Sequence, residues 1–115
     1  MERELQFLIM VNSKLDLDQF IACIKDNWPH IHWVGSRSFD VANNWVQISE
    51  NEEFDPSLAS NPEKGFLHYR YRLEVSPVEG TPSLDNQIEL ARSLKAGLEK
   101  LGFEAVVCAD FEDLL

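Results

Sequence analysis

The sequence predicts an α+β fold, a two-layer sandwich in which two helices cover one face of a mixed β-sheet. Two observations support this prediction. Two amphipathic helical segments are separated by stretches typical of strands, in the order β-α-β-β-β-α-β. The apolar fraction of 44% over 115 residues is typical of a globular chain that can bury one core, so residues 1–115 are expected to form one domain.

The first strand and the first helix have the clearest sequence signals. Leu5–Val11 is almost continuously apolar, which is typical of a central strand covered on both faces. Asp16 followed by Gln19 is a capping-box pattern, which predicts a helix starting after Asp16. Pro29 should end this helix, because the residue before a proline disfavours helical geometry. The predicted core-facing stripe contains Leu17, Phe20, Ile21, Ile24 and Trp28.

The middle of the chain is predicted to contain two short strands and a long loop. Ile31–Val34 and Asn44–Ser49 could pair as a hairpin across the turn-rich segment 35–40. Residues 50–65 are rich in acids, proline, serine and asparagine, which indicates a loop. This loop is longer than the usual connection of about 4–6 residues, and such loops are often functional or disordered.

The segment Phe66–Val75 has the strict alternation of a single long strand. One face would carry leucine, tyrosine and valine side chains. The other face would align His68, Arg70 and Arg72 in a row. If helices cover the apolar face, this polar row should lie on the open face of the sheet.

The last third of the chain is predicted to form a loop, a helix and a final strand. The loop covers Ser76–Pro82, and the helix covers Ser83–Leu101 with Gly102 as a left-handed cap. The strand Glu104–Ala109 follows, before an acidic tail. Together the elements approach a ferredoxin-like split β-α-β arrangement with one extra strand or hairpin in the middle.

The charge balance indicates which partners the domain would attract. Twenty carboxylates and ten basic residues give a net charge of −10, and the two halves of the chain each carry ten acids. Such a negative field repels nucleic acid and anionic lipid and attracts basic partners. Solubility alone would also account for the charge. Nucleic acid and membranes are therefore not expected as partners, whereas the oligomeric state stays open.

The cysteines and the chain start favour a cytosolic location. Cys23 and Cys108 lie in apolar stretches and form no CxxC pair, so each is expected to pack as a small hydrophobe, although a disulfide between them stays open. The first residues lack a basic segment followed by an apolar run, which argues against a secretory signal. No apolar run reaches the ~18 residues of a membrane span.

No catalytic residue, cofactor or metal site is predicted. His30 and His32 would share one side of a strand, and a metal site would require His68 to approach them. A structural role for these histidines is preferred. No serine lies in a G-x-S-x-G pattern, and the five glycines are too scattered for a phosphate loop. The domain is therefore interpreted as a binding protein and not an enzyme.

The candidate binding residues are acids, arginines and one tryptophan. Glu50, Glu52, Glu53 and Asp55 would form a solvated loop, a surface for a basic protein or, less favoured, a metal site. Arg70 and Arg72 would pair with acids of neighbouring strands or receive an anion. Of Trp28, Trp33 and Trp45, the first suits the core, and one of the other two is expected to be exposed. Trp45 is taken as the candidate anchor for a partner.

The stretch Trp45–Asp55, followed by residues 65–71, resembles small bacterial immunity proteins that neutralise polymorphic toxins. Both have a strand that runs into an acidic N-x-x-[FY]-D loop before an aromatic-rich strand. The resemblance covers about a quarter of the chain. It implies a non-catalytic acidic surface that covers a basic toxin, often a nuclease.

Two alternative functions follow from the residues. The first is a small-molecule regulatory domain of ferredoxin-like form, with an anionic ligand held by Arg70 and Arg72 on the open sheet face. The second is an enzyme or metal protein that uses the histidines.

Overall fold

The computed structural model describes residues 4–78 and 82–115, and within them the chain forms one six-stranded sheet. The strands follow the order β2-β3-β4-β5-β1-β6, and every neighbouring pair is antiparallel. The elements are β1 (Phe7–Asn12), α1 (Leu17–Asn27), β2 (His32–Trp33), β3 (Ser38–Val41), β4 (Asn44–Glu50), α2 (Pro56–Ala59), β5 (Tyr71–Pro77), α3 (Leu84–Lys100) and β6 (Glu104–Ala109). Short 3₁₀ turns cover Gly65–His68 and Glu112–Leu114.

The predicted α+β class is confirmed, but the predicted mixed sheet with five strands is wrong. The described part of the chain contains a sixth strand, and no pairing in it is parallel. The predicted loop Ser76–Pro82 lies partly outside the described residues. No helix in the described ranges has the length and apolar character needed to cross a bilayer.

One face of the sheet is the base of the core. Ile9 of β1 lies opposite Leu73 of β5, and Leu73 lies opposite Ile48 of β4. These three side chains are fully buried and join the buried residues of α1 and α3 in one cluster. Because side chains alternate along a strand, residues such as Trp45 and Arg72 point to the opposite, open face.

Helix α1 has the predicted cap and end. The Asp16 carboxylate accepts a hydrogen bond from the Gln19 backbone N–H at 2.9 Å, and the Gln19 side chain accepts one from the Asp16 N–H at 3.2 Å. The helix ends at Asn27, and its C-cap residue, Trp28, directly precedes Pro29. Its buried Phe20 stacks on Tyr71 of β5 with ring centroids 4.5 Å apart, which ties the helix to the sheet.

The predicted hairpin between residues 31–34 and 44–49 is wrong. The supposed link contains β3, so β2 pairs with β3, and β3 pairs with β4. A two-residue turn joins β3 to β4, with Ala42 at φ 48° and Asn43 at φ 60°. Two left-handed residues suit a tight hairpin because their twist matches that of the strands. The turn was missed since alanine gives no signal for this conformation.

The predicted strand over Phe66–Val75 begins too early. Residues 65–68 form a 3₁₀ turn, and β5 starts at Tyr71. From Tyr71 onward the predicted alternation is confirmed, because Tyr71, Leu73 and Val75 are fully buried. His68 therefore does not lie on the sheet face beside Arg72, and the predicted row of three basic side chains is wrong.

Helix α3 ends in the predicted glycine cap. Gly102 has φ 94°, its N–H donates to the Glu99 carbonyl at 2.9 Å, and the Phe103 N–H donates to the Leu98 carbonyl at 3.2 Å. These two bonds are those of a Schellman motif. Within the helix, Gly97 leaves room for the Trp28 ring, since a Cβ at this position would lie 2.8 Å from a ring carbon.

A buried pair of amide side chains connects α3 to the sheet. Asn44 and Gln87 exchange two hydrogen bonds of 2.9 Å, and both are almost completely inaccessible to solvent. The Gln87 Nε2 also donates to the Leu5 carbonyl, and the Asn44 Nδ2 donates to the Ala42 carbonyl. A buried amide group without a hydrogen-bond partner costs free energy. This pair therefore favours the one position of β4 relative to α3 in which the two amides meet.

Gln87→Leu should lower the free energy of unfolding by about 1–3 kcal/mol, because it leaves the Asn44 amide buried with fewer partners. Urea denaturation at neutral pH measures this change. Glu89→Leu is the matched control, since Glu89 is exposed on the same helix. The double variant Asn44→Val/Gln87→Leu should lose less stability than the sum of the single variants. If the changes in unfolding free energy of the two single variants simply added up in the double variant, Asn44 and Gln87 would not be energetically coupled.

Candidate functional site

The long segment between β4 and β5 is held in place by Asn51. The Asn51 Nδ2 donates to the Leu67 carbonyl at 3.0 Å and to the Tyr69 carbonyl at 2.8 Å. Its Oδ1 accepts a hydrogen bond from the Glu53 N–H at 3.1 Å, and its own N–H donates to the Arg70 carbonyl at 2.9 Å. One side chain therefore joins the start of the segment to its end.

Two further contacts close the same segment. The Asp55 N–H donates to the His68 carbonyl at 3.2 Å, and the His68 Nδ1 lies 2.9 Å from the Glu53 carbonyl oxygen. Gly65 is buried against the backbone of α2, where a Cβ would overlap the Ala59 carbonyl oxygen. The segment is thus a folded loop with internal contacts and not an open connection.

The Asp55 carboxylate is engaged within this loop. It accepts hydrogen bonds from the Ser57 N–H at 2.9 Å, the Ser57 hydroxyl at 2.7 Å and the Leu58 N–H at 3.4 Å, which makes Asp55 the N-cap of α2. These bonds, above all the one from the Ser57 hydroxyl, hold the pKa of the Asp55 carboxyl below its ordinary value. Its role within the loop is to position neighbouring residues.

Glu50, Glu52 and Glu53 form the acidic turn, in which three exposed side chains occur within four residues. Glu50 ends β4, and Glu52 and Glu53 follow Asn51. Within residues 4–78 and 82–115, no basic side chain forms an ion pair with any of the three. Their negative charges are therefore presented to solvent from a fixed backbone.

The two predicted arginines lie in different environments. The Arg70 guanidinium is 5.6 Å from the Phe54 ring centre and 5.4 Å from the Tyr71 ring centre, and it donates to the Lys14 carbonyl at 3.3 Å. Arg70 thus packs the loop against the end of the sheet. Arg72 lies on the open face of β5, where it pairs with Glu74 at 3.2 Å and donates to Ser49.

The tryptophans also differ in exposure. Trp45 is 40% exposed on the open face of β4, opposite Asp40 and Ser76. Trp28 and Trp33 are half-buried and pack against the core residue Phe39. Among the three tryptophans, Trp45 presents the most accessible ring to a partner.

The histidines do not form a metal centre in the described part of the chain. His32 pairs with Asp40 at 3.6 Å, whereas His68 contacts the loop backbone. Across residues 4–78 and 82–115, no group of three or more histidine, cysteine, aspartate or glutamate side chains is placed to hold a metal ion. Both cysteines are free, and burial raises the pKa of the Cys108 thiol.

A cleft of about 990 Å³ lies beneath the loop that carries the acidic turn. Its walls are the α2 segment, the turn after β1 and the turn after α3, and its charged residues are Lys14, Arg70 and Glu104. The Tyr69 hydroxyl donates to Glu104 at 3.3 Å, and burial, followed by the Glu104 charge, raises the pKa of the Tyr69 phenol. The cleft has a mixed polar and apolar lining, which suits a small polar ligand.

The sequence predicts the group of acids in the acidic turn. It does not predict the residues whose contacts hold the backbone of this turn in place. The sequence places Asn51 and Gly65 in a loop without indicating their contacts, and no sequence pattern predicts the cleft. The spacing of Asn51 and Asp55 was the available signal, because both residue types bond to nearby backbone N–H groups in turns.

Comparison with protein-family models, with curated proteins and with solved structures gives no match for this chain. The resemblance to immunity proteins therefore stays a prediction.

We expect Asn51→Ala to lower the free energy of unfolding by about 1–3 kcal/mol, because it leaves the carbonyls of the loop without their donor. The amides of Glu53 and Phe54 should exchange with solvent faster, as NMR-detected hydrogen exchange measures. Glu52→Ala serves as the control, since the Glu52 side chain makes no contact that holds the loop. Unchanged exchange in Asn51→Ala would show that other contacts hold the acidic turn.

The pH dependence of the loop should follow Asp55. Because its folded-state pKa lies below the ordinary value of 3.8, the carboxylate stabilises the cap above that pH, and this stabilisation is lost as the pH falls through the folded pKa. An NMR titration that follows the amides of Ser57 and Leu58 measures this transition. A midpoint above 3.8 would contradict the capping role.

Proposed function

We propose that this chain is a non-enzymatic, acidic protein-binding domain of the immunity or inhibitor type, which masks a basic partner. One observation carries the proposal. The acidic turn projects three carboxylates without ion-pair partners in the described residues from a backbone held by Asn51.

The physical reason is preorganisation. A loop that is already folded loses little conformational entropy when it binds, so more of the interaction free energy remains as affinity. Exposed charges of one sign also attract an oppositely charged protein over distances of about a Debye length, which raises the association rate. The net charge of −10 acts in the same direction.

Trp45 is proposed as a separate apolar anchor on the open face of β4. Glu50 lies five residues further along the same strand, about 17 Å away, and is in register with the buried Tyr71. Because side chains alternate along a strand, Trp45 and Glu50 point to opposite faces of the sheet, and a partner that contacts both must reach around the end of the sheet. Asp55, Arg70 and Arg72 would support these two contact regions from within, because their side chains already have partners inside the domain.

The second candidate function is the binding of a small anion in the cleft. Lys14 and Arg70 line it, and one hydrogen bond of the Arg70 guanidinium goes to the Lys14 carbonyl. The site proposed from sequence on the open sheet face is replaced here by the cleft, because Arg72 is paired with Glu74. A rise in melting temperature with millimolar citrate or phosphate, lost in Arg70→Ala but kept in Arg72→Ala, would favour this function.

We further propose that the fold is a variant of the ferredoxin-like plan. The central order β6-β1-β5-β4, with α1 and α3 as the connecting helices, supports this reading. Strands β2 and β3 would then be an extension at one edge.

The proposed function predicts that the position of the acids matters, and not only their number. Glu50→Lys/Glu53→Lys and the control Asp26→Lys/Glu89→Lys each change the net charge from −10 to −6, and all four positions are exposed. At low salt, the first variant should associate with the basic partner about tenfold more slowly than the control, with a weaker dependence on salt.

The partner for this measurement is the basic protein recovered by affinity capture from an extract of the native host, and stopped-flow mixing gives the rates. Equal association rates for the two variants would remove the acidic turn from the interface. Failure to recover any protein that elutes with salt would count against the proposed function as a whole.

A further inference from the structure

The loop between β4 and β5 exposes three large apolar side chains. Phe54 is 40% exposed, Leu58 48% and Leu67 43%, whereas Gly65 alone is buried among residues 51–68, all of which the structure describes. In the rest of the described ranges, large apolar side chains of similar exposure lie singly along the chain or at its end, at Val34, Trp45, Val78, Leu114 and Leu115. Single exposed apolar residues are normal, but several on one segment with a polar border mark an interaction surface.

These three side chains take no part in the core. In the described part of the chain, none of them belongs to the buried cluster or packs against it. The Phe54 ring contacts the Arg70 guanidinium and lines the cleft. Leu58 and Leu67 are not among the described residues that line the cleft. Neither the core nor the cleft therefore explains a leucine at these two positions.

One residue fixes the backbone of both Phe54 and Leu67. The Asn51 carbonyl accepts a hydrogen bond from the Phe54 N–H at 3.1 Å, and the Asn51 Nδ2 donates to the Leu67 carbonyl at 3.0 Å. One residue further along each segment, the Asp55 N–H donates to the His68 carbonyl at 3.2 Å. The backbones at Phe54 and Leu67 therefore run next to each other in the folded loop.

Leu58 joins the same group through α2. Its N–H lies 3.4 Å from the Asp55 carboxylate, and its carbonyl oxygen lies 3.3 Å from the point that a Cβ on Gly65 would occupy. Gly65 starts the 3₁₀ turn that carries Leu67, so α2 packs directly on this turn. The three exposed side chains of this folded loop, Phe54, Leu58 and Leu67, are called the apolar patch below.

The charge beside the apolar patch is negative. The acidic turn directly precedes Phe54, and within residues 50–70 five carboxylates and two basic side chains, Lys64 and Arg70, leave a net charge of −3. The Arg70 guanidinium is engaged by the rings of Phe54 and Tyr71. An apolar centre with a polar rim is the general form of a protein interface, and a negative rim is complementary to a positive one.

A second copy of this chain fits this surface poorly. A two-fold dimer would pack the same surface against itself, so the two acidic turns would border one contact. Like charges brought together in this way cost free energy, and each copy carries a net charge of −10. A basic protein has the opposite relation to the same acids.

We infer that the apolar patch is the centre of the interface with the basic partner and that the acidic turn is its charged rim. The partner surface that fits has exposed apolar side chains bordered by lysine or arginine. This inference rests on the proposed function for the basic character of the partner. It extends that function, because it assigns the lifetime of the complex to the apolar patch and only the encounter to the acids.

Three synthetic peptides test the inference on the full chain with ¹³C-labelled leucine methyl groups. The first has leucine, tryptophan and leucine between two lysines at each end. The second keeps the lysines and has serine, glycine and serine in the centre. The third keeps the apolar centre and replaces the four lysines with glutamates. NMR titration follows the methyl groups of Leu58 and Leu67, with Leu114 and Leu115, of similar exposure, as internal controls.

The first peptide should shift the methyl signals of Leu58 and Leu67 and leave those of Leu114 and Leu115 unchanged. The second and third peptides should each bind at least about tenfold more weakly, since one lacks the apolar contact and the other is repelled by the acids. Leu58→Ala/Leu67→Ala should weaken the first peptide by about tenfold. The matched control Leu114→Ala/Leu115→Ala should retain its affinity.

The basic partner recovered by affinity capture provides a kinetic measurement of the same variants. Leu58→Ala/Leu67→Ala should raise its dissociation rate by about tenfold and leave its association rate nearly unchanged, because central contacts form after the encounter. The control Leu114→Ala/Leu115→Ala should change neither rate. Because all four leucines are exposed, both variants should unfold in urea at nearly the wild-type midpoint.

Absence of shifts at Leu58 and Leu67, or equal shifts at the two control leucines, would overturn the inference. Equal binding of the first two peptides would refute the apolar centre, and equal binding of the first and third would refute the cationic border. Shifts that depend on protein concentration without peptide, with a dimer in sedimentation, would assign the patch to a second copy and overturn it as well.

Failure of this inference is distinguishable from failure of the proposed function. An unchanged dissociation rate for Leu58→Ala/Leu67→Ala, together with slower association for Glu50→Lys/Glu53→Lys, would overturn the apolar centre and leave the acidic binding surface intact.

Discussion

Burial of one face of the sheet is the constraint on which the rest of this structure depends. Because Ile9, Ile48 and Leu73 must all lie beneath the helices, a strand cannot shift by one residue against its neighbour, since that shift would move its core side chains to the open face. The same constraint directs Trp45 and Arg72 to the open face. The open face of the sheet is a consequence of this burial.

The long loop follows a different principle from the core. It contains few buried apolar side chains, and polar groups such as Asn51 and Asp55 satisfy its backbone instead. Gly65 adds a close backbone approach to α2 that no larger residue permits. In this division the core buries the apolar side chains, and the loop presents the exposed acids to solvent from a fixed backbone.

The sequence was sufficient where one local signal decided the structure. The capping box at Asp16 and the glycine cap at Gly102 were both predicted, because each motif is complete within a few residues. Strand β3 was missed because its turn uses Ala42 in an uncommon conformation. The early start assigned to β5 came from an alternation that continues into a 3₁₀ turn, where bonds from Asn51, sixteen residues away, determine the backbone.

The candidate site was predictable in composition but not in geometry. Acids close together in a loop indicate an acidic surface, and Glu50, Glu52 and Glu53 are exposed as that pattern suggests. The sequence does not show which of the acids forms hydrogen bonds within the domain. In the folded loop this acid is Asp55, whose carboxylate accepts hydrogen bonds from Ser57. The cleft joins turns far apart in the sequence, so no local pattern could indicate it.

The bonds of Asn51 have an implication for how such a domain can diversify. They involve the Asn51 side chain and main-chain atoms, and none of them uses the side chains of Glu50, Glu52 or Glu53. Substitutions at these three positions can therefore accumulate under selection without refolding the scaffold. The charge of this surface is therefore adjustable independently of the backbone that displays it.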